Sequence, residues 1–129
     1  MLRLRALGLQ GALPVASNRQ GPLHFRAWAP DMILEPDAFG IPAPPETEPS
    51  VTPDLVLAPL LAFDRRGGRL GQGAGHYDRT LANLRTAGRI FVLGLAYSGQ
   101  ELPAIPMEPH DQRLDAILTE TGYIEVEQD

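Results

Sequence analysis

Apolar residues are concentrated in short runs that are separated by stretches rich in proline and glycine. The clearest run, residues 54–64 (DLVLAPLLAFD), is apolar nearly throughout, which predicts a strand of a parallel sheet covered on both faces. Pro59 predicts that this strand bends or ends there. Residues 90–96 (IFVLGLA) predict a second buried strand, and residues 116–119 predict a short third one.

A helix is predicted between the first two strands. Tyr77, Leu81 and Leu84 recur at the i, i+4, i+7 spacing of an amphipathic helix, which we expect to end at Gly88. Strand, crossover helix and strand make a βαβ unit, and open sheets of this kind bind ligands where the first strand ends. The pattern therefore predicts an α/β fold with a ligand site before the helix.

The two ends of the chain have weaker patterns. We expect a short helix to about Leu9, a strand over residues 12–16, and a hairpin partner over residues 23–28. Residues 30–53 contain seven prolines among acidic residues, which predicts a long surface loop without regular structure. The last residues, after the third strand, are predicted to form an acidic tail.

Length and composition indicate one globular domain, 1–129, in which residues 30–53 form the loop and residues 54–124 the βαβ core. The absence of cysteine excludes disulfides and thiolate zinc sites, and it agrees with a reducing cytoplasm. The basic, leucine-rich start resembles a signal peptide, but polar residues and Pro14 interrupt it. We therefore expect a cytoplasmic protein without a membrane span.

A net charge of −5 argues against binding to nucleic acid, but the charges are unevenly placed. Residues 65–89 carry six arginines and one aspartate, whereas residues 31–64 carry seven acids and no base. The basic block coincides with a glycine-rich stretch, residues 69–79 (RLGQGAGHYDR). A solvated cationic face is an alternative reading for the outer arginines, but it fits less well for Arg69 and Arg79, which flank the glycines.

Gly71, Gly73 and Gly75 leave the backbone bare at alternate positions, so its N–H groups can approach a ligand closely. Together with a following helix N-terminus, such a loop favours anions. A Walker A loop is excluded because the chain has no lysine, and the glycine spacing differs from the dinucleotide fingerprint. Alone, the loop is equally compatible with a plain tight turn.

Several segments together resemble the 5-formyltetrahydrofolate cyclo-ligase (methenyltetrahydrofolate synthetase) family. They are APLLAFDRRGGRLGQGAGHYDRTL, VLGLAYSGQ and PMEPHDQRLDAILTETGYI, in this order, with FGI-P at Phe39. The resemblance runs from about Leu13 to Ile124. It implies a three-layer α-β-α fold with a mostly parallel, Rossmann-like sheet.

The resemblance also implies a ligase that uses ATP and Mg²⁺ in one-carbon metabolism. The formyl oxygen of 5-formyltetrahydrofolate attacks the γ-phosphorus of ATP, N10 then closes the ring, and phosphate leaves to give 5,10-methenyltetrahydrofolate. Arg69 and Tyr77 are implied to be catalytic, and Asp78 and Asp111 to bind the metal. The residues implied to bind ATP are Arg69, Leu70, Gly71, Gln72, Gly73, Ala74, Gly75, His76 and Tyr77. The residues implied to bind the folate are Gln72, Gly73, Ala74, Gly75 and His76.

Residue chemistry alone leaves alternatives at these positions. Asp78 is also suited to cap the helix, and Asp111 to a turn, while Asp115 is a second candidate for the metal. His76 stands where the family often has tyrosine, and an imidazole still stacks on a pterin or hydrogen-bonds to it.

The family's basic N-terminal helix and the following region, with a glutamate that helps hold the folate, have no counterpart here. We therefore expect a chain truncated at its N-terminus relative to the family, with apolar surface that a homo-oligomer would cover. Two alternatives to an active enzyme stay open: a remnant that binds nucleotide or folate without turnover, and a phosphate-binding domain for another substrate.

Overall fold

A computed structural model describes residues 10–16, 22–71, 76–109 and 111–126, with only the backbone of His76. The predicted helix to Leu9, the loop residues 72–75 and His110 lie outside the described residues. The chain divides into two compact units, Met1–Pro53 and Asp54–Asp129. This division falls where the sequence predicts the change from proline-rich loop to core.

The first unit is built on short antiparallel strands. β1 (Gly11–Val15) pairs with β2 (His24–Trp28), with Gly11 opposite Trp28 and Val15 opposite His24. The predicted N-terminal hairpin is therefore confirmed.

The proline-rich segment is not wholly irregular, and that prediction is wrong for four of its residues. β3 (Glu35–Pro36) pairs with β4 (Pro42–Ala43). Asp37 organises the turn between them, because its Oδ1 accepts hydrogen bonds from the N–H groups of Phe39, at 2.8 Å, and Ile41, at 3.1 Å. Proline is tolerated here because a two-residue strand needs few ladder hydrogen bonds.

The second unit contains a four-stranded sheet. Its strands are β5 (Leu55–Pro59), β8 (Phe91–Leu95), β9 (Ala116–Thr119) and β10 (Gly122–Glu125), and their order across the sheet is β10-β9-β8-β5. β5 and β9 each run parallel to β8, while β10 runs antiparallel to β9. Helix α1 (His76–Ala87) lies between β5 and β8 in sequence, which confirms the predicted βαβ unit.

α1 packs through the residues that its periodicity predicts. Leu81 is fully buried in a cluster with Phe63, Val92 and Ile117, and Leu84 packs against the same cluster. Burial of these side chains contributes on the order of 2 kcal/mol each. A polar residue at Leu81 would therefore break the attachment of α1 to the sheet.

Within the described residues of the second unit, no α-helix lies on the opposite face of the sheet, so for these residues the prediction of strands covered on both faces is wrong. Along β5 and β8 burial alternates, and Leu55 and Leu95 are about two-fifths exposed, at 40% and 44%. Leu118 on β9 is exposed to the same degree, at 43%. Among residues 54–71, 76–109 and 111–126, α1 is the one α-helix, and a third layer is not seen.

Two smaller features differ from the sequence prediction. The predicted bend or end at Pro59 is confirmed, because β5 ends there, but the remainder of the strand predicted over 54–64 contributes to a separate hairpin, made of β6 (Ala62–Phe63) and β7 (Arg69–Leu70). The predicted acidic tail is wrong for residues 122–125, which form β10. Within the described part of the chain, no helix is both long and apolar enough to cross a bilayer.

Candidate functional site

Arg69 is the first residue of β7, and the turn that precedes it is stabilised by Asp64. The Asp64 carboxylate is 4% exposed, and its Oδ1 accepts the N–H groups of Arg66 and Gly68 at 3.0 and 2.8 Å. Its Oδ2 accepts the N–H of Ile105 at 2.7 Å. Gly67 has φ = 85°, a value that favours glycine, so this residue lets the chain reverse immediately before Arg69.

These contacts keep Asp64 ionised inside the protein. Burial raises the pKa of its carboxyl group, but hydrogen bonds from the Ile105, Gly68 and Arg66 N–H groups outweigh burial, and the nearby Arg113 charge adds to them. The resulting pKa lies below the ordinary value of 3.8. Asp64 thus carries a negative charge at neutral pH, and its carboxylate accepts hydrogen bonds from backbone N–H groups.

The Arg69 side chain is fixed by two neighbours. Its Nε donates to the backbone carbonyl of Pro59, the last residue of β5, at 2.9 Å. Its guanidinium carbon lies 5.2 Å from the centre of the Tyr77 ring, within the range of a cation–π contact. Arg69 is therefore held between the end of β5 and the first turn of α1, the place that the βαβ pattern predicts for a ligand.

Burial dominates the electrostatics of this pair. It lowers the pKa of the Arg69 guanidinium, while the charges of Asp78, Tyr77 and Asp111 partly oppose that shift. Burial likewise raises the pKa of the Tyr77 hydroxyl, with Arg69 opposing it. Arginine still carries its charge at neutral pH, so the site presents a partly desolvated cation, which binds an anion more strongly than an exposed one does.

Gly71 has no side chain that would collide with the Arg69 guanidinium. A Cβ at Gly71 would lie 2.8 Å from Nη2 of Arg69, so a larger residue there would push the guanidinium away. Leu70 is half exposed, at 49%. The other predicted ATP- and folate-binding residues, Gln72 to Gly75 and the His76 side chain, lie outside the described residues.

Asp78 lies in the first turn of α1 and joins this helix to the segment that contains Asp111. Its Oδ1 accepts a hydrogen bond from the backbone N–H of Gln112 at 2.9 Å. The structure thus brings the carboxylate of Asp78 next to Asp111, and both charges act on the Arg69 guanidinium. Arg69 and Tyr77 are therefore in contact at the start of α1, where Asp78 follows Tyr77, and Asp111 is adjacent in sequence to the residue that donates to Asp78.

Asp111 closes a short turn. Its N–H donates to the carbonyl of Glu108 at 3.0 Å, and its Oδ2 accepts the N–H of Glu108 at 2.9 Å. The turn reading of Asp111 therefore describes its backbone correctly, and it leaves the residue partly exposed rather than buried.

Asp115, the alternative metal candidate, is used differently. Its Oδ2 accepts the backbone N–H of Val92 at 2.7 Å and Nη2 of Arg85 at 3.2 Å. Arg85 also donates to the side chain of Gln112 and to the carbonyl of Arg113. Asp115 therefore anchors the start of β9 to β8 and α1.

A pair of carboxylates suits a hard cation such as Mg²⁺. Carboxylate oxygens suit Mg²⁺, which often takes one or two protein carboxylates and completes its shell with phosphates and water. Asp78 and Asp111 provide such a pair. Among the described residues, no three His, Asp and Glu side chains are grouped to hold a metal by themselves.

Two contributors to this architecture are absent from the sequence-based site. Asp64 and Arg85 hold the segments that carry Arg69 and Asp111. An aspartate followed by a glycine-rich turn (DRRGG) is a signal for side-chain capping of a turn, and it could have identified Asp64. Arg85 had no local signal, because its partners are distant in sequence.

Comparison with known proteins gives a family match and several relatives. A model of the 5-formyltetrahydrofolate cyclo-ligase family matches residues 3–120. The 5-formyltetrahydrofolate cyclo-ligase of Mycolicibacterium smegmatis is 36% identical over 124 residues, which are 90% of this chain and 62% of that protein. The Haemophilus influenzae protein of the same name is 41% identical over 100 residues, 74% of this chain and 53% of that protein.

Solved structures agree with the sequence relatives. The NMR structure of Aquifex aeolicus 5,10-methenyltetrahydrofolate synthetase superposes with a TM-score of 0.72 at 28% identity, covering 98% of this chain and 66% of that one. The synthetase from Mycoplasma pneumoniae gives a TM-score of 0.60 at 26% identity, covering 96% and 60%. The chain spans less than two thirds of the length of the Mycolicibacterium smegmatis and Haemophilus influenzae relatives, at 62% and 53%.

Proposed function

We propose that this chain, which belongs to the 5-formyltetrahydrofolate cyclo-ligase family, catalyses the ATP-dependent cyclisation of 5-formyltetrahydrofolate. The products are 5,10-methenyltetrahydrofolate, ADP and phosphate. The single observation that carries the proposal is the convergence of Arg69, Tyr77, Asp78 and Asp111 at the start of α1. These residues come from three separate segments, and they combine one cation with two carboxylates.

Arg69 is the residue that we propose to contact the transferred phosphoryl group. Phosphoryl transfer requires positioning and charge stabilisation more than a protein nucleophile. A guanidinium held by the Pro59 carbonyl and the Tyr77 ring is already oriented before the nucleotide binds. Tyr77 keeps Arg69 in place, so its own contribution to catalysis passes through that contact.

The run from Arg69 to Tyr77 is proposed to hold the triphosphate, and Gln72 to His76 also the folate. Support comes from the glycine at position 71, which leaves room beside Arg69, and from the helix N-terminus that follows. Backbone N–H groups at a helix start attract anions.

Asp78 and Asp111 are proposed to hold Mg²⁺. When bound, the metal neutralises charge on the phosphates and aligns them for transfer. Asp115 is less suited to this role because it already forms an ion pair with Arg85, at 3.2 Å, which offsets the charge that a cation would need.

Finer features of the protein are proposed on the same basis. We propose that the full fold is a three-layer, mostly parallel, Rossmann-like sheet, and that residues 1–129 act as one domain in the cytoplasm. The uncovered apolar face of the sheet supports a further covering layer, from a homo-oligomer or from other parts of the family fold.

The test is growth of methenyltetrahydrofolate absorbance when the protein meets 5-formyltetrahydrofolate, ATP and Mg²⁺. Omission of ATP or of Mg²⁺ is expected to abolish it. Thermal stabilisation by ATP or folate without any product would instead indicate a remnant that binds but does not turn over. Stabilisation by ATP together with indifference to folates would indicate a different substrate.

A further inference from the structure

Asp64 lies outside the set of residues that the proposed reaction uses, yet its carboxylate accepts hydrogen bonds from three backbone N–H groups. Its turn is fastened to the chain on both sides of Asp111. Before Asp111, the Ile105 N–H donates to Oδ2 of Asp64 at 2.7 Å. After Asp111, the Leu114 N–H donates to the Gly67 carbonyl at 2.8 Å.

A third contact joins the same two segments. Nη1 of Arg113 donates to the carbonyl of Arg66 at 3.0 Å, so the turn also holds the side chain of that arginine. The packing leaves the carboxylate little freedom, since a Cβ added at Gly68 would lie 2.7 Å from Oδ2 of Asp64. The turn is therefore tightly constrained, and Arg69 directly follows its last residue, Gly68.

We propose that Asp64 is a positioning residue that sets the spacing between Arg69 and Asp111 and so prepares the site for a magnesium–nucleotide complex. One carboxylate oxygen holds the turn that carries Arg69, and the other holds the segment that leads to Asp111. Only the identity of the ligand rests on the proposed function, because the coupling of the two segments is a property of the chain itself.

The first experiment measures the affinity for ATP in the presence of Mg²⁺ by calorimetry, at a temperature where both proteins are folded by circular dichroism. Asp64→Asn keeps the size of the side chain but replaces one acceptor oxygen with a donor. We expect affinity to fall roughly tenfold to hundredfold, since small displacements of positioned groups have effects of that size. Asp64→Glu keeps the charge but displaces it by one methylene, and it serves with the same expectation if Asp64→Asn does not fold.

Asp37→Asn is the matched control. Asp37 also accepts three backbone N–H groups, from Phe39, Ile41 and Ala16, but none of them belongs to a segment with a predicted site residue. Its variant is expected to bind ATP and Mg²⁺ as the wild type does. Wild-type affinity in a folded Asp64→Asn protein would overturn the proposal.

Two further readouts separate positioning from general stabilisation. In turnover, Asp64→Asn is expected to raise the KM for magnesium-ATP while the KM for the folate stays unchanged, and an equal rise in both would contradict the proposal. Hydrogen exchange without ligands is expected to show faster exchange in residues 64–71 and 105–114 together. Faster exchange confined to the turn would overturn the coupling, whatever the outcome of the cyclisation assay.

Discussion

The Asp78 carboxylate accepts a hydrogen bond from the Gln112 backbone N–H at 2.9 Å, across 34 residues of chain. This bond joins the first turn of α1 to the residue after Asp111, and it occupies Oδ1 of Asp78. The second oxygen of the same carboxylate is the one that we assign to the metal. Asp78 therefore has two separable roles, which a suitable substitution should distinguish.

Asp78→Asn is expected to abolish magnesium-dependent cyclisation with little loss of stability. An asparagine still offers a carbonyl oxygen to the Gln112 N–H, but it lacks the charge that Mg²⁺ requires. Asp78→Ala removes both functions and should in addition lower the free energy of unfolding by about 1–3 kcal/mol. Absorbance assays across a magnesium titration, with urea unfolding of each variant, check this. Full activity of Asp78→Asn would remove Asp78 from the metal site.

Asp111 and Asp115 can be distinguished as metal ligands by comparing two variants. Asp111→Asn is expected to raise the magnesium concentration needed for half-maximal activity at least tenfold, because one ligand charge is lost. A tenfold rise corresponds to a loss of about 1.4 kcal/mol of binding free energy. Asp115→Ala is expected to leave that concentration unchanged and to lower stability by about 2 kcal/mol, since the Val92 N–H loses its acceptor. The reverse pattern would make Asp115 the ligand.

Gly71→Ala tests whether the Arg69 guanidinium needs its present position. The added methyl group would meet the flexible end of Arg69, so the fold should survive while the guanidinium moves. We expect roughly a tenfold to hundredfold loss of kcat/KM for ATP, because of misplacement of a positioned charge. Gly99→Ala is the matched control, since a Cβ there meets nothing within 4 Å. Equal activity of the two variants would argue against a role for Arg69 in binding the phosphates.

Asp64 predicts a specific dependence of stability on pH. Its pKa is lower in the folded protein than the ordinary 3.8, so the folded state favours the ionised form. The stabilisation is present above the ordinary pKa and is lost as pH falls through the folded one. The difference in unfolding free energy between wild type and Asp64→Asn should be about 2 kcal/mol at neutral pH and should shrink in acid. Urea midpoints between about pH 7 and about pH 2 measure it; a constant difference would show that the Asp64 charge is not involved.

Four regular elements of the second unit were predictable from local pattern, namely α1, β5, β8 and β9. The spacing of Tyr77, Leu81 and Leu84 predicts α1, and the apolar runs predict β5 and β8. β10 was not predicted, because its four residues lie in acidic sequence and are a strand only through pairing with β9. Exposed apolar surface was expected from the resemblance and not from the apolar runs themselves, since an apolar side chain gives the same pattern whether or not a layer covers it.

The sequence suggests candidate residues for the site but not the residues that support them. Arg69 stands out because it flanks the glycines, whereas Asp78 and Asp111 are candidates through the family resemblance. The contacts of Asp64 with Ile105, and of Arg85 with Gln112 and Asp115, join residues that are far apart in sequence. Only the folded chain brings such partners together, so local sequence cannot indicate them.

The parallel pairing of β5 with β8 has a consequence for how the chain is made. β5 leaves the ribosome well before its partner strand, and translation at about 5–20 residues per second delays β8 by roughly 2–6 s. Parallel pairing of distant segments is also slow to form. The leucines of residues 55–61 therefore remain unpaired for seconds in the nascent chain. A chaperone that binds this segment during that interval would prevent its aggregation.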